Sequence, residues 1–188
     1  MTSLADSLPA RSTGLDQARR RSQILAFEAA LAQHPAAVHG DSDQFPLTHH
    51  FAPGMYLREI AIPAGSLLVG KIHKAAHLVV LLTGALRLYT EAGGLQDVHA
   101  PAILVSPPGA KRAALALEET RWITCHPNPT DTQDLAALEA EIIAPTFQDY
   151  DRWRAELEPA PDPDPGPAPD PDPGAGSTPH ALAEGDTP

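Results

Sequence analysis

The chain of 188 residues contains one cysteine, three lysines and no long apolar run. A lone Cys125 cannot form an internal disulfide, which excludes a disulfide-stabilised secreted scaffold and a zinc site built on several thiolates. The longest apolar run, 78–82, is far too short to span a bilayer. With a net charge of −11, the chain also lacks the clustered cations of a nucleic-acid surface, and residues 1–12 lack a signal-peptide pattern. We therefore expect a cytoplasmic protein without membrane or nucleic-acid partners.

Proline and negative charge are plentiful but unevenly distributed. Residues 159–188 hold 10 of the 21 prolines and a net charge of −6, and they contain the octapeptide PAPDPDPG twice in tandem. Alternating proline favours extended polyproline II, and this composition offers no apolar surface to offset chain entropy. We predict a disordered tail over 159–188 and a second disordered segment over 1–14.

Helical patterns flank the middle of the chain. Residues 15–33 carry apolar side chains at helical spacing, and a linker completes the segment 15–40. The three arginines at 19–21 form either a partner patch or a solvated face. After Pro129, a capping-box pattern from Thr130 to Gln133 predicts a helix that Pro145 ends. A second short helix should pack an aromatic stripe on the barrel, so helices occupy 129–158; the stripe is Phe147, Tyr150, Trp153 and Leu157.

Residues 41–128 have the pattern of an all-β domain. Short segments rich in Val, Ile, Leu and Thr alternate with turn signals such as Pro53-Gly54 and Pro107-Pro108-Gly109. Short, closely spaced strands that are separated by such turns indicate an antiparallel sandwich or barrel. We predict strands near 55–62, 67–73, 77–82, 85–90, 95–99, 102–105, 111–117 and 120–126.

The stretch from Gly65 to Gly84 resembles the first signature of the cupins. That signature reads G, five residues, H-x-H, three or four residues, E, six residues, G. Both glycines and every spacing match, and His73 stands at the second histidine. Lys71 replaces the first histidine, however, and His77 replaces the glutamate.

A second cupin signature is matched around the turn Pro107-x-Gly109. Here Arg112 stands at the position of a ligand histidine, while Pro101 and Ala116 replace the leading glycine and the final asparagine. The resemblance implies a single cupin-type jelly-roll β-barrel with flanking N- and C-terminal helices. Because such barrels often pair through edge strands or swapped termini, we expect a homodimer.

A closer resemblance covers about residues 46–145. Four sequence segments are similar to those of small cupin-like proteins common in bacteriophage and prophage genomes. They are "THHFAPGMYLREIAIPAG", "GKIHKAAHL", "SPPGAKR" and "WITCHPN". That group has no well-defined activity. The resemblance therefore implies a fold and a viral origin, in the cytoplasm of a bacterial host, rather than a reaction.

The candidate metal ligands are His73 and His77. Alternate residues of a strand share a face, so Lys71 should point the same way as His73, and a three-residue turn can bring the imidazole of His77 near His73. Neutral imidazoles suit divalent Fe, Zn, Mn or Ni, but a third ligand is needed. Glu59 and His126 are the two main candidates. His49, His50 and Tyr56 are further candidates for the site.

The positive charges of Lys71 and Arg112 oppose a bare metal ion and favour an anionic ligand. Three hypotheses follow. A metalloprotein of enzymatic character would hold a metal through the histidines and an anionic small molecule through Lys71 or Arg112. A non-catalytic protein would bind a small acidic molecule without metal. An accessory phage protein would use the same residues only for packing.

Overall fold

The computed structural model describes residues 13–38, 40 and 42–157. The predicted tail over 159–188 and nearly all of the predicted segment 1–14 lie outside these residues. The described part contains three helices and eleven strands. In chain order they are α1 Gly14–Ala32, β1 Leu47–Ala52, β2 Gly54–Ile62, β3 Leu67–Val69, β4 Ile72–His73, β5 His77–Thr83, β6 Ala85–Thr90, β7 Gly94–His99, β8 Ala102–Ser106, β9 Arg112–Ala116, β10 Thr120–Asn128, α2 Leu135–Ile142, β11 Ile143–Ala144 and α3 Phe147–Leu157.

Two antiparallel sheets form a jelly-roll sandwich. The first has the order β1-β2-β10-β5-β8 and the second the order β3-β9-β6-β7, while β4 and β11 form a separate two-stranded ribbon. The apolar core lies between the two sheets, where alternate residues of each strand point inward. Its fully buried members are Ile62, Leu81, Leu86, Leu88 and Ala116.

The predicted strands are present, with one division that matters for the site. The segment predicted as one strand over 67–73 is two strands, because β3 pairs with β9 whereas β4 pairs with β11. Gly70 and Lys71 lie between them outside any strand. Strands β1 and β11 were not predicted from the sequence.

Helix α1 packs on the second sheet through its buried residue Ile24. Thr13 begins the helix with a capping box, in which its hydroxyl accepts from the backbone N–H of Asp16 and the Asp16 carboxylate accepts from the backbone N–H of Thr13. Two of the three arginines at 19–21 contact the β6–β7 turn. Arg20 donates to the carbonyls of Glu91 and Ala92 at the β6–β7 turn, and Arg21 forms an ion pair with Glu91.

The C-terminal helices cover the end of the sandwich that carries β4 and β11. Helix α2 begins at Asp134, whose carboxylate accepts from the backbone N–H groups of Ala136 and Ala137, rather than at the predicted capping box of Thr130. In α3, Tyr150 packs against Ile72 and Ala144, with Phe147 and Trp153 beside it. Leu157, the fourth member of the predicted stripe, is 64% exposed. None of the described helices is both long and apolar enough to cross a membrane.

Gly84 is the tightest position between β5 and β6. Its φ of +82° lies in the left-handed region, and a Cβ added there would stand 2.2 Å from the carbonyl oxygen of Glu119. Gly54 has a similar φ of +74° but open space around the missing Cβ. A comparison of alanine substitutions at Gly84 and Gly54 therefore separates the cost of backbone strain from the cost of steric overlap.

We expect Gly84→Ala to destabilise the fold much more than Gly54→Ala. Backbone strain alone costs a non-glycine residue about 1–2 kcal/mol in the left-handed region, and overpacking adds roughly 1–3 kcal/mol. Denaturant unfolding of both variants measures the difference. Equal losses of unfolding free energy would show that the contact with Glu119 does not constrain this turn.

Candidate functional site

The first sheet changes from apolar to polar along its inner face. In β10 the inward residues run from Trp122, which packs on the core, through Thr124 to His126. His126 pairs with Tyr56 across the β10–β2 ladder, and His77 pairs with Ser106 across the β5–β8 ladder. His77 and Tyr56 lie near the N-terminal ends of β5 and β2, and Ser106 and His126 lie near the C-terminal ends of β8 and β10. Because neighbouring strands are antiparallel, the sheet register gathers these polar side chains at one end of the sandwich.

Three imidazoles meet at this polar end. The ring centroids of His73 and His77 are 4.0 Å apart, those of His77 and His126 are 4.8 Å apart, and those of His73 and His126 are 5.1 Å apart. His77 and His126 are each 5% exposed, whereas His73 is partly exposed. We call these three residues the histidine cluster.

The Pro107-x-Gly109 turn fixes the position of His73. The backbone N–H of Gly109 donates to the carbonyl of His73 at 2.9 Å. Gly109 has a φ of +69°, and a Cβ added there would stand 2.6 Å from the ring of Tyr150. A glycine is therefore required at this turn, which explains in physical terms why this part of the second signature is intact.

Burial keeps the histidine cluster neutral. Withdrawal from water, with smaller contributions from the neighbouring imidazoles and arginines, lowers the pKa of His73 to about 2 and that of His126 to about 4. Burial also lowers the pKa of His77, and the charge of Arg112 adds to this effect. All three rings therefore offer lone pairs, rather than only N–H donors, at neutral pH.

His77 presents an unpaired nitrogen. Its Nδ1 lies 3.3 Å from the carbonyl oxygen of Ala75, and because a carbonyl only accepts hydrogen bonds, Nδ1 carries the proton of the neutral ring. Nε2 then bears the lone pair. This buried atom has no hydrogen-bond partner among the described residues. It would be satisfied by a metal ion or by a donor group of a ligand.

Arg112 brings a positive charge to the same place. From β9 it donates to the Ser106 hydroxyl and lies 5.7 Å from the ring centroid of Trp122. Burial lowers the pKa of this guanidinium. Within the described part of the chain, no carboxylate lies within ion-pair distance of Arg112.

Tyr56 and His49 extend the site along the first sheet. The Tyr56 hydroxyl lies 2.8 Å from Nδ1 of His49, and the Tyr56 ring stacks between Phe51 and His126. Tyr56 is 5% exposed. Tyr56 therefore lies against the histidine cluster, whereas His49, a further candidate ligand in the sequence analysis, contacts Tyr56.

Lys71 lies away from the cluster, contrary to the expectation that it shares the face of His73. It stands outside the strands, where side-chain alternation does not apply, and its side chain is half-exposed. Its Nζ lies 2.5 Å from the Glu139 carboxylate in α2. Of the two cations considered for an anionic ligand, the structure brings only Arg112 to the histidines.

Glu59 and His50 also lie elsewhere. Glu59 is three residues after Tyr56 in β2, so it points to the opposite, outer face of the sheet. Its carboxylate accepts from Arg121 at 2.6 Å and lies 3.0 Å from Nε2 of His50. The bond with His50 and the bond and charge of Arg121 lower the pKa of Glu59. Of the two main candidates for a third ligand, His126 is the one that joins His73 and His77.

Arg58 is a site residue that the sequence reasoning missed. It lies two residues after Tyr56 and so on the same inner face, and its positive charge lowers the pKa of both His73 and His126. The period-two alternation of β2 was the signal that could have found it. The site is thus a set of neutral imidazoles bordered by two guanidinium groups.

The fit to a metal ion is incomplete. Three neutral imidazoles are suitable donors in type and protonation, and the unpaired Nε2 of His77 is a suitable donor atom. Among the residues that the structure describes, however, no group of three or more His, Cys, Asp or Glu side chains is arranged to hold an ion. The two arginines would also repel a cation unless an anion accompanied it.

Several solved structures are similar to the chain, and those with descriptive names include cupins. KdgF from a Halomonas species is 14% identical, with a TM-score of 0.41 over 47% of this chain and 84% of its own. An RmlC-like cupin from Methanocaldococcus jannaschii is 13% identical, with a TM-score of 0.39 over 50% of this chain and 89% of its own. A Cupin 2 conserved barrel protein from Salinispora arenicola is 12% identical, with a TM-score of 0.40 over 56% of this chain and 93% of its own.

No protein-family profile and no curated protein sequence match the chain. The structural likenesses, at these identities and TM-scores, carry nothing about a ligand or a reaction. Function has to be argued from the side chains of the site itself.

We expect the metal-free protein to lose stability as the pH falls below about 6.5. The unfolded histidines titrate near 6.5, whereas the folded ones have lower pKa values, so the unfolded state binds more protons in acid. Stability from this source is complete above 6.5 and declines by about 1 kcal/mol per histidine for each pH unit below it. Urea unfolding in EDTA between pH 7.5 and 5.5 measures the decline.

Two variants test whether the histidine cluster causes this loss of stability in acid. His126→Gln removes one buried titrating group and should make the decline shallower. His99→Gln, at an exposed histidine, should leave the slope unchanged. A flat wild-type curve, or the same slope in both variants, would contradict the burial of neutral imidazoles.

Proposed function

We propose that the polar end of the sandwich binds a small molecule that carries a carboxylate or a comparable anionic group. The observation that carries this proposal is the guanidinium of Arg112, which is partly buried and has no carboxylate within ion-pair distance among the described residues. A buried charge is costly unless it is paired. An anionic group against Arg112 supplies that partner, and Arg58 adds positive potential nearby.

The other side chains define the rest of the ligand. The Nε2 lone pair of His77 accepts a hydrogen bond, so it suits a hydroxyl or another donor on the ligand. The hydroxyl of Ser106 lies beside Arg112, and the ring of Tyr56 stacks on that of His126. A small hydroxy acid combines the anionic group and the donor that these residues call for.

A divalent metal held by His73, His77 and His126 is the second candidate. The observation in its favour is the hydrogen bond from His77 Nδ1 to a backbone carbonyl, the outer contact that orients a metal-binding imidazole. A bound Fe, Zn, Mn or Ni ion would supply a Lewis-acidic position for the anionic group. The role first given to Lys71 then falls to Arg112 alone.

The wider assignments rest on sequence resemblance. The two signatures support a cupin-type protein. The sequence segments that resemble phage and prophage proteins support a viral origin and a bacterial cytoplasmic location. A reaction is not part of the proposal, since cupin-type barrels carry many different activities. An accessory phage protein that binds nothing is the outcome if both ligand tests fail.

We expect malate or citrate to raise the melting temperature of the wild-type protein and of Arg87→Gln, but not of Arg112→Gln. Arg87 is an exposed arginine paired with Asp97 and serves as the matched control. A ligand at 100 times its Kd stabilises by about 2.7 kcal/mol. Differential scanning calorimetry in EDTA, with sodium chloride at equal ionic strength as the reference, makes the measurement. A shift that survives in Arg112→Gln would exclude this anchor.

We expect elemental analysis after loading with Fe²⁺ or Zn²⁺ to find about one ion per chain if the second candidate holds. His77→Gln should then lose the ion, while His50→Gln, on the outer face, should keep it. Equal metal contents in the two variants, or no bound metal in the wild type, would exclude the histidine cluster as a metal site. The anion proposal is tested separately, by the calorimetric shift in melting temperature.

A further inference from the structure

A second cavity lies at the break between β3 and β4, where residues 70–71 belong to no strand. It has a volume of about 260 Å³ and is lined by residues of α1, β3, β4, α2 and β11, and by Lys111 just before β9. Pockets for drug-sized ligands enclose roughly 300–1,000 Å³, so this cavity suits a smaller molecule. Neither Arg112 nor any member of the histidine cluster lines it. We call it the second cavity, because it is distinct from the site at the polar end.

Backbone hydrogen bonds fix the walls of the second cavity. The N–H of Gly70 donates to the carbonyl of Arg112 at 2.9 Å, and the N–H of Lys74 donates to the carbonyl of Ile142, at the end of α2, at 2.8 Å. The β4–β11 ladder joins two further walls. Since these contacts tie the lining elements to one another, the cavity is preformed, as binding sites for small molecules usually are.

Two ion pairs line the second cavity. The ammonium group of Lys111 lies 2.8 Å from a carboxylate oxygen of Glu28 in α1, and that of Lys71 lies 2.5 Å from a carboxylate oxygen of Glu139 in α2. The two cations and two anions balance, whereas the site at the polar end carries the positive charge of Arg112. A balanced set of charges is complementary to a ligand that carries one charge of each sign.

Each ion pair can hold a ligand group in addition to its present partner. Lys111 is only 6% exposed, and a single oxygen of Glu28 takes one of the three N–H donors of its ammonium group. A buried cation is costly unless it is well paired, so a ligand carboxylate is a suitable further acceptor. Glu139 contacts Lys71 through Oε1, and its second oxygen can accept from a ligand ammonium group.

Aliphatic side chains form the rest of the lining. Val69 and Ile72 contribute from β3 and β4, and Ile143 and Pro145 contribute from β11 and the residues after it. Such a surface gains free energy by covering hydrocarbon, and the small volume of the cavity limits that hydrocarbon to a short branch.

We propose that the second cavity binds an α-amino acid with a short aliphatic side chain. The ligand carboxylate lies on Lys111, its ammonium group lies on Glu139, and its side chain packs against Val69 and Ile143. Each part of this ligand is complementary to one feature of the lining, namely the buried cation, the available carboxylate oxygen and the aliphatic wall. The assignment does not depend on the proposed function, because the two sites share no lining residue.

Isothermal titration calorimetry of the full chain with L-valine tests this assignment. The wild type should bind one valine per chain. Isovalerate lacks the ammonium group and isobutylamine lacks the carboxylate, so each loses a charge-assisted hydrogen bond and should bind about 10-fold more weakly or worse. The absence of valine binding, or binding of isovalerate as tight as that of valine, would overturn the proposal.

Three variants locate the binding. Glu139→Gln should raise the valine Kd about 10-fold or more. Because the Glu139 side chain is 57% exposed, this variant should keep the circular dichroism spectrum of the wild type. Glu141→Gln, at an exposed glutamate of the same helix outside the lining, is the matched control and should leave the Kd unchanged.

Arg112→Gln separates the second cavity from the anion site. This variant should bind valine with the Kd of the wild type even if it no longer responds to malate or citrate. Loss of valine binding in Arg112→Gln would place the amino acid at the polar end and overturn the proposal. Equal effects of Glu139→Gln and Glu141→Gln would also overturn it.

Discussion

The site depends on one constraint, the withdrawal from water of three imidazoles and a guanidinium at the same end of a sandwich. Desolvation keeps His73, His77 and His126 neutral, so that three rings can pack with centroids 4.0–5.1 Å apart without repelling one another as cations. Burial does not neutralise Arg112 in this way, because a guanidinium stays protonated. The neutral cluster and the persistent charge together favour an anion over a bare cation.

The scaffold holds this arrangement through the register of the first sheet and one turn. Strand pairing sets His126 opposite Tyr56 and His77 opposite Ser106, and the Gly109 turn fixes His73 by a backbone hydrogen bond. Tyr150 of α3 packs where a Cβ on Gly109 would stand, so the C-terminal helix helps to hold the turn. The same first sheet presents apolar residues outward on β5 and β8, so the site and these exposed apolar residues lie on opposite faces of one layer.

Much of the fold was predictable because strands and turns are local in origin. The resemblance of the stretch from Gly65 to Gly84 and of the Pro107-x-Gly109 turn to the cupin signatures implied the jelly roll, and β-rich segments between turn signals located the strands. The site was only partly predictable. His73 and His77 were found because a turn joins them, but the choice between Glu59 and His126 required the face of each strand and the pairing between distant strands. Lys71 was misplaced because a break between β3 and β4 interrupts the alternation.

By itself, the sequence determined an all-β architecture with flanking helices, the positions of most turns and the residues from which a site could be built. These properties follow from local spacing, from glycines that must adopt positive φ, and from apolar periodicity. The tertiary structure alone decided which of those residues meet. It gave Arg112 no acidic neighbour among the described residues, paired Lys71 with Glu139, and turned Glu59 to the outer face. Such outcomes depend on sheet register between residues far apart in the chain, and no local pattern records them.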